Sequence, residues 1–187
     1  VAASAPTKAR RGDTKSGGTL AMAIGPVRGR IASTFKDPAG RWTSITFRRY
    51  HLPNLTVIST YQVVDVDPTK VGPGTNANLL NAYYHDRGID NPKELRKHHA
   101  NDLVKFVREC QRQGDAIIVA GDLNEVLGET TGGLTRLISE CGLYDVVAHK
   151  HMATEFTTYQ RGHRVMDYCL VDEGLLPAVL GCGYDPF

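Results

Sequence analysis

The 187-residue sequence lacks any apolar run close to the roughly 20 residues that a membrane-spanning helix needs. Its basic start, with Lys8, Arg10 and Arg11, leads into no apolar segment and therefore does not resemble a secretory signal. The four cysteines form no CxxC pair, which argues against zinc ribbons and redox motifs and predicts reduced thiols. No repeat or linker divides the chain. We expect one intracellular domain, nuclear or cytoplasmic, with no membrane partner.

Charge is ordinary in amount but unevenly spread. Charged residues make up 22% and apolar residues 41%, values typical of globular domains. The net charge is +2, yet residues 1–50 hold ten Lys/Arg and two acids, against twelve and eighteen in the remainder. This asymmetry suits a phosphodiester enzyme, because cations bind phosphates while carboxylates bind metal. A basic tail beside ordinary surface charge is the alternative. We predict a basic, flexible segment over 1–16 and a domain over 17–187.

Residues 115–124, DAIIVAGDLN, join a buried-strand pattern to two polar residues. The apolar run 117–120 predicts a strand buried on both faces. Gly121 permits a tight backbone course, and Asp122 and Asn124 point the same way if the extended course continues. A carboxylate and a carboxamide would then lie at the carboxyl end of a buried strand, where α/β sheets bind ligands. The alternative is an Asp/Asn turn that caps the strand.

Residues 164–171, RVMDYCLV, predict a second apolar strand with a single acid, Asp167, in its middle. Burying a carboxylate costs several kcal/mol unless it is paired or hydrogen-bonded. Asp167 therefore requires either a structural partner or a chemical role.

The remaining pattern predicts strands, then helices, then strands in one α/β sandwich. In the helix that begins at Asn91 and Pro92, His99 is predicted to pack on the apolar face and His98 to lie outside it. His149, Lys150 and His151 are predicted to form an exposed loop. Predicted strands cover 18–25, 27–35, 42–49, 55–61, 156–159 and 179–184, and predicted helices cover 77–87, 91–110 and 133–141.

The ordered motifs GDLN (121–124) and RGHRVMDYCLV (161–171) resemble the endonuclease/exonuclease/phosphatase superfamily. That superfamily includes apurinic/apyrimidinic endonucleases, the deoxyribonuclease I group and LINE-type retroelement endonucleases, and the resemblance runs from about residue 17 to the end. It implies an α/β fold: a four-layer sandwich of two mainly antiparallel or mixed β-sheets flanked by helices. It also implies a hydrolase that uses Mg²⁺ or Mn²⁺ and acts on DNA. The pattern TYQRGHRVMDYCLV favours the retroelement branch.

The resemblance also assigns roles to single residues. Asp122 matches the acid that orients or deprotonates the attacking water, and Asn124 matches the amide that positions the substrate phosphate. Both are candidate metal ligands, since hard oxygen donors suit Mg²⁺ or Mn²⁺. Asp167 matches the acid that orients a catalytic histidine. Tyr61 matches a tyrosine on the scissile phosphate, although the Pro-Asn pair that follows it in the family is replaced here by the residues of 62–64.

Four further residues near the Asp167 strand are candidate substrate contacts, because cations and aromatic rings bind nucleic-acid backbones and bases. The arginines among them are equally typical of solvated charges at a strand end. The four candidates are Thr157, Tyr159, Arg161 and Arg164.

The sequence departs from the family pattern at two points. Neither the metal-binding glutamate of an early strand nor the closing Ser-Asp-His motif has a counterpart here. We therefore expect an incomplete domain, part of a longer polypeptide and inactive alone. The alternatives are a phosphatase or phospholipase of the same superfamily and a non-catalytic binding module that retains the fold.

Overall fold

A computed structural model describes residues 1–4, 18–90, 94–128, 132–151 and 164–184. These residues form a mixed α/β fold with one six-stranded sheet, one two-stranded sheet and flanking helices, which confirms the predicted fold class. The strands are β1 Ala2–Ser4, β2 Thr19–Ala21, β3 Ile31–Lys36, β4 Trp42–Phe47, β5 Leu55–Tyr61, β6 Ala116–Asp122, β7 Leu143–Asp145 and β8 Asp167–Asp172. The α-helices are α1 Asn76–His85, α2 Leu95–Arg112, α3 Gly133–Cys141 and α4 Val146–His151.

The larger sheet has the order β3-β4-β5-β6-β8-β7. Of its strand pairs, β5–β6 is parallel and the others are antiparallel. A parallel pair requires a long crossover connection, and residues 62–115 supply it with α1 and α2. The crossover places β6 in the middle of the sheet, between β5 and β8.

The main core lies between this sheet and the helices α2 and α3. Ile117 and Val119 of β6 point into it and are at most 1% exposed. The other face of β6 is only half-buried at Ile118, so the prediction of burial on both faces is wrong. That second face carries a smaller cluster around Val171 and Leu176. The two-stranded sheet packs against β4 and β5, where Ile45 is 2% exposed.

Several predicted elements agree closely with the structure. The bounds of β5 match the predicted strand, and α3 ends where Gly142 adopts a left-handed conformation with φ 63°. A glycine takes this conformation without steric cost, which is why it ends helices. His99 is fully buried on the apolar face of α2, as predicted, with its ring 5.8 Å from that of Trp42. Among the described helices, none has the length and apolarity to cross a membrane.

Other predictions are wrong near the two ends of the chain. Ala2–Ser4 forms β1, so the prediction of a flexible segment over 1–16 is wrong at these three residues, and residues 5–16 lie outside the described residues. Residues Gly25–Arg30 form a 3₁₀ helix with Pro26 in its first turn, so only the second half of the predicted strand 27–35 is extended. The β3 strand that follows pairs with β4 and not with β2.

The later part of the chain also departs from prediction. His149, Lys150 and His151 lie in α4 and not in a loop. Residues 179–184 form no strand, and Leu180 is 98% exposed, so no burial supports one there. His98 is half-buried with its ring 5.1 Å from that of Tyr84, and it is therefore not outside the protein. The predicted strand 156–159 and the start of α2 at Asn91 and Pro92 lie outside the described residues.

Candidate functional site

Three predicted site residues form one row across three neighbouring strands. Tyr61 pairs with Asp122 in the parallel β5–β6 register, and Asp122 pairs with Asp167 in the antiparallel β6–β8 register. Paired residues of adjacent strands place their side chains on the same face, about 5 Å apart at Cβ. The structure therefore brings a phenol and two carboxylates together at the end of the sheet where β5 and β6 finish. We call Tyr61, Asp122 and Asp167 the carboxylate row.

Asn124 joins this row through a turn and not through an extended course. Its φ is 48°, and its backbone N–H donates to Asp122 Oδ1 at 2.9 Å, the geometry of an Asx turn. Leu123 between them is 1% exposed and part of the main core. Burial of Leu123 thus turns the chain, and the prediction that Asp122 and Asn124 align along an extended strand is wrong. The turn directs the Asn124 side chain toward β5, where its Nδ2 donates to the Gln62 carbonyl oxygen at 2.7 Å.

Gly121 permits this approach of β5 and β6. Its φ is 148°, and a Cβ atom at this position would lie 1.9 Å from the carbonyl oxygen of Thr60. No side chain fits there without moving the backbone. The bulk of any other residue would force β6 away from β5 at the level of the carboxylate row.

Backbone hydrogen bonds continue on both sides of the turn. The Gln62 N–H donates to the Asp122 carbonyl oxygen at 2.8 Å, and the Leu123 N–H donates to the Met166 carbonyl oxygen at 2.8 Å. On the far side, the Tyr184 hydroxyl donates to the Asp167 carbonyl oxygen at 2.8 Å. The loop after β6 is therefore held by the segments that follow β5 and precede β8.

The environment raises the pKa of two members of the row. Burial raises the pKa of Asp122, the charge of Asp167 raises it further, and hydrogen bonds from the backbone and side chain of Asn124 oppose the rise. Burial also raises the pKa of Tyr61, together with the charge of Asp122, while a hydrogen bond with the Asn124 side chain opposes it. Asn124 thus lies against both Asp122 and Tyr61 and moderates the effect of burial on each.

The donors of the row fit a hydrated divalent cation. Asp122 and Asp167 are neighbours whose charges repel, and a cation between them would relieve that repulsion. Mg²⁺ binds through one or two carboxylates and keeps several of its waters. Within the described ranges, no group of three or more His, Cys, Asp or Glu residues is arranged to hold a metal ion. The row brings two carboxylates side by side on neighbouring strands.

The candidate substrate contacts are only partly placed. Arg164 is exposed and precedes Asp167 by three residues, at the end of β8 that carries the row. Thr157, Tyr159 and Arg161 lie outside the described residues.

Sequence reasoning missed three residues behind Asn124. Glu125 is 3% exposed and Gln62 is 1% exposed, and the Gln62 Nε2 donates to Glu125 Oε1 at 2.6 Å. The guanidinium of Arg96 donates to the Asn124 carbonyl oxygen at 2.7 Å and lies 3.0 Å from Glu125 Oε1. The only local signal for Glu125 was an acid directly after GDLN, whose partners come from distant segments. We call Gln62, Arg96 and Glu125 the support cluster.

No protein-family model matches the chain, and no curated protein matches it. Among solved structures, the chain is similar to the human Nocturnin catalytic domain with bound sulfate anion, at 13% identity and a TM-score of 0.43, over 72% of this chain and 42% of that one. It is also similar to the 3′ phosphatase NExo from Neisseria bound to product DNA hairpin, at 14% identity and a TM-score of 0.47, over 75% and 55% of the two chains. A third is a beta hairpin deletion mutant of beta toxin from Staphylococcus aureus, at 17% identity and a TM-score of 0.38, over 72% and 44%.

The chain spans between 42% and 55% of the length of these three proteins. At these identities and TM-scores, the likeness assigns neither a family nor an activity to the chain.

Proposed function

We propose that this chain carries the central part of the active site of a divalent-metal-dependent phosphodiester hydrolase that acts on DNA. The observation that carries the proposal is the carboxylate row with Asn124 turned against it. Two carboxylates, a phenol and a carboxamide converge at one end of the sheet, although they come from three separate segments of the sequence. A turn that only capped β6 would not need an acid from β8 beside it.

Each group suits one requirement of phosphodiester hydrolysis. The reaction needs an aligned water and neutralisation of the charge on the phosphoryl oxygens. Ionised Asp122 can accept a hydrogen bond, and then the proton, from the attacking water. The Tyr61 hydroxyl can donate to a phosphate oxygen, and Asp167 adds the second carboxylate. One Asn124 amide hydrogen is bonded to the Gln62 carbonyl oxygen, and the other, on the side of Asp122 and Tyr61, can position the phosphate once substrate is bound. Bound Mg²⁺ or Mn²⁺ would supply charge neutralisation and lower the pKa of the water.

Exposed cations on the edge of the larger sheet support DNA as the substrate. The 3₁₀ helix before β3 carries Arg28 and Arg30, β3 ends in Lys36, and Arg48 follows β4; all four are exposed. Lys36 lies toward the end of the sheet that carries the row, whereas Arg30 and Arg48 lie at the opposite end, so these cations suit an extended polyanion and not a small phosphate. Cations along an edge bind the phosphate backbone without regard to sequence. Within DNA nucleases, the LINE-type retroelement endonuclease branch is our proposal, which rests on analogy with the TYQRGHRVMDYCLV pattern.

The experiment measures Mn²⁺ binding by the electron paramagnetic resonance signal of the unbound ion. Asp122→Asn and Asp167→Asn should each weaken binding about 10-fold or more, because each removes one carboxylate of a two-carboxylate site. Asp90→Asn is the matched control, since Asp90 is an exposed aspartate paired only with His85 among the ion pairs of the described residues. Equal Mn²⁺ affinity in all four proteins would contradict the metal site.

Nicking of supercoiled plasmid in Mg²⁺ tests the reaction itself. We expect metal-dependent nicking by the protein that contains this domain, and a loss of about 100-fold or more with Asp122→Asn at unchanged folding. Mn²⁺ binding without nicking would favour the non-catalytic binding module. Release of phosphate from phosphomonoesters without nicking would favour a phosphatase.

A further inference from the structure

Glu125 is a buried carboxylate whose partners come from three other segments of the chain. Besides Gln62 and Arg96, it accepts the backbone N–H groups of Leu134 at 2.8 Å and Gly133 at 3.1 Å. These are the first two residues of α3, whose preceding residue Gly132 provides no side-chain cap. The carboxylate therefore satisfies two N–H groups that a helix start leaves without intrahelical partners, at the end where the helix dipole favours negative charge.

Two consecutive glycines make room for this arrangement. A Cβ atom on Gly132 would lie 2.0 Å from Glu125 Oε1, and a Cβ atom on Gly133 would lie 2.9 Å from Gln62 Oε1. Neither residue has the positive φ that itself demands glycine. The absence of a side chain at 132 and 133 thus serves the close approach of Glu125 and Gln62 to the helix.

The same cluster reaches the proposed active site through Asn124. Gln62 binds Glu125 with its side chain and accepts the Asn124 amide with its backbone carbonyl oxygen. Arg96 bridges Glu125 and the Asn124 carbonyl oxygen. Both the side chain and the backbone of Asn124 are therefore fixed by residues that Glu125 binds. The Asn124 backbone N–H in turn donates to Asp122 Oδ1 at 2.9 Å, and the Asn124 side chain lies against Asp122 and Tyr61.

We propose that Glu125 is a positioning residue of the proposed hydrolase: through Gln62 and Arg96 it holds the Asn124 amide against Asp122 and Tyr61. The inference rests on the proposed function for its chemical purpose. The positioning itself needs neither metal nor substrate to be observed. If Glu125 only stabilises the start of α3, its replacement lowers stability and leaves the carboxylate row unchanged.

The test replaces Glu125 by glutamine and follows Asp122 by carbon-13 NMR of its carboxyl group in the metal-free protein. Glutamine offers one neutral acceptor oxygen in place of two charged ones, so it cannot accept from Gln62, Arg96 and the N–H groups of α3 together, and the hold on Gln62 weakens. Asn124 then donates less to Asp122, and the pKa of Asp122 rises further, by about 0.5 or more. The pKa of Tyr61 rises in the same direction, because the same amide opposes its shift.

Asp172→Asn is the matched control. Asp172 is a carboxylate at the opposite end of the β6–β8 pair, where it accepts the Ile117 backbone N–H and the Gln111 amide. Its replacement removes comparable structural bonds without reaching Asn124. It should lower stability and change the pKa of Asp122 by no more than about 0.2. An Asp122 pKa that is unchanged in Glu125→Gln, or equally shifted in both variants, would overturn the inference.

Two further variants make the result independent of one substitution. Gln62→Met keeps the length of the side chain and the backbone carbonyl but removes the donor to Glu125, and it should shift the pKa of Asp122 in the same direction. Combining Glu125→Gln with Gln62→Glu restores one donor opposite one acceptor and should return the Asp122 pKa toward that of the original protein. If Glu125→Gln does not fold, an unchanged Asp122 pKa in Gln62→Met overturns the inference.

The two proposals fail separately. If Glu125→Gln leaves the pKa of Asp122 unchanged while the original protein binds Mn²⁺, the role of Glu125 is overturned and the proposed function stands. If the original protein binds no Mn²⁺ but Glu125→Gln raises the pKa of Asp122, the metal site is overturned and the positioning of Asn124 is established. In an active protein, Glu125→Gln should lower kcat about 10-fold or more with little change in KM, because positioning acts on the transition state.

Discussion

Gly121 is the residue at which the site depends most directly on the lack of a side chain. Gly121→Ala should destabilise the protein by about 2–4 kcal/mol, because the backbone conformation is strained for alanine and the new methyl group meets the Thr60 carbonyl oxygen. Urea unfolding measures the loss. Gly174→Ala is the control, since a Cβ atom there meets nothing within 4 Å, and it should change stability by no more than about 0.5 kcal/mol. Equal losses in the two variants would contradict the steric account.

The pKa of Asp122 predicts how its removal affects stability. Its folded-state pKa is raised above the ordinary value of 3.8, so the folded protein holds this proton more tightly than the unfolded chain does. The stability gained in this way is present at low pH and is lost as the pH rises from 3.8 through the raised pKa. Above that window the charged Asp122 opposes folding. Asp122→Asn should therefore keep or raise the melting temperature at neutral pH while it weakens Mn²⁺ binding, as Tm measured across a pH series would show. A large drop in Tm at neutral pH would indicate a structural role instead.

The sequence located the carboxylate row but not the residues that support it. Asp122 follows an apolar run, so its placement at a strand end followed from pattern alone. Asp167 was predicted in the middle of a strand over 164–171, and this is wrong, because β8 begins at Asp167. The direction of the Asn124 side chain was predicted wrongly. The chain turns because Leu123 is buried in the packed core, and the local sequence pattern does not show that burial. Glu125 meets Gln62 across a sequence separation of 63 residues, and no local pattern reports such a contact.

The α2 helix carries the residue that should make the protein sensitive to acid. His99 is fully buried, and neither ring nitrogen has a hydrogen-bond partner among the residues that the structure describes. Burial, together with the charges of Arg41 and Arg96, lowers its pKa from 6.5 to about 3. The unfolded chain takes up a proton at this histidine below 6.5, while the folded protein does not until about 3. The stability that neutral His99 provides is present above 6.5 and is lost as the pH falls from 6.5 toward 3.

His99→Met should therefore reduce the acid sensitivity of the fold. A single buried histidine costs about 1.4 kcal/mol for each pH unit below its unfolded pKa, so the stability difference between about pH 7.5 and about pH 5.5 should shrink by roughly 1 kcal/mol in the variant. Urea unfolding at both pH values measures this. His149→Met, at an exposed histidine of α4, should leave the difference as it is. An unchanged difference in His99→Met would show that other groups govern acid unfolding.

Elements with a clear end signal were predicted best. Gly142 ends α3 and Gly114 follows α2, and both adopt positive φ. The strands near the chain ends were predicted worst, because alternating apolar residues there do not meet a core. Leu20 and Met22 alternate as a strand should, yet each is 56% exposed, and β2 extends only over Thr19–Ala21.

On the scale of the whole molecule, the charge asymmetry predicts which surface would contact the proposed DNA substrate. Replacing Arg28 and Arg30 together by alanine should weaken DNA binding and lower the salt dependence, with the slope of log K against log salt falling by about 0.9 for each lost phosphate contact. Binding is measured by fluorescence anisotropy of a labelled duplex over a salt series. Lys97→Ala with Arg112→Ala removes the same net charge from exposed positions on α2 and is the control. The same slope in both double variants would place the DNA elsewhere.

The crossover between β5 and β6 also determines when the site comes into existence during synthesis. Tyr61, Asp122 and Asp167 leave the ribosome in that order, each long after the one before it. A nascent chain that ends before β8 holds Asp122 on an open strand edge without its neighbouring carboxylate. Parallel pairs form only after their long connecting segment has been made and closed, which makes them slow steps in folding. The ion binding that we propose should therefore arise abruptly, when β8 is translated and docks, and not increase gradually as the chain lengthens.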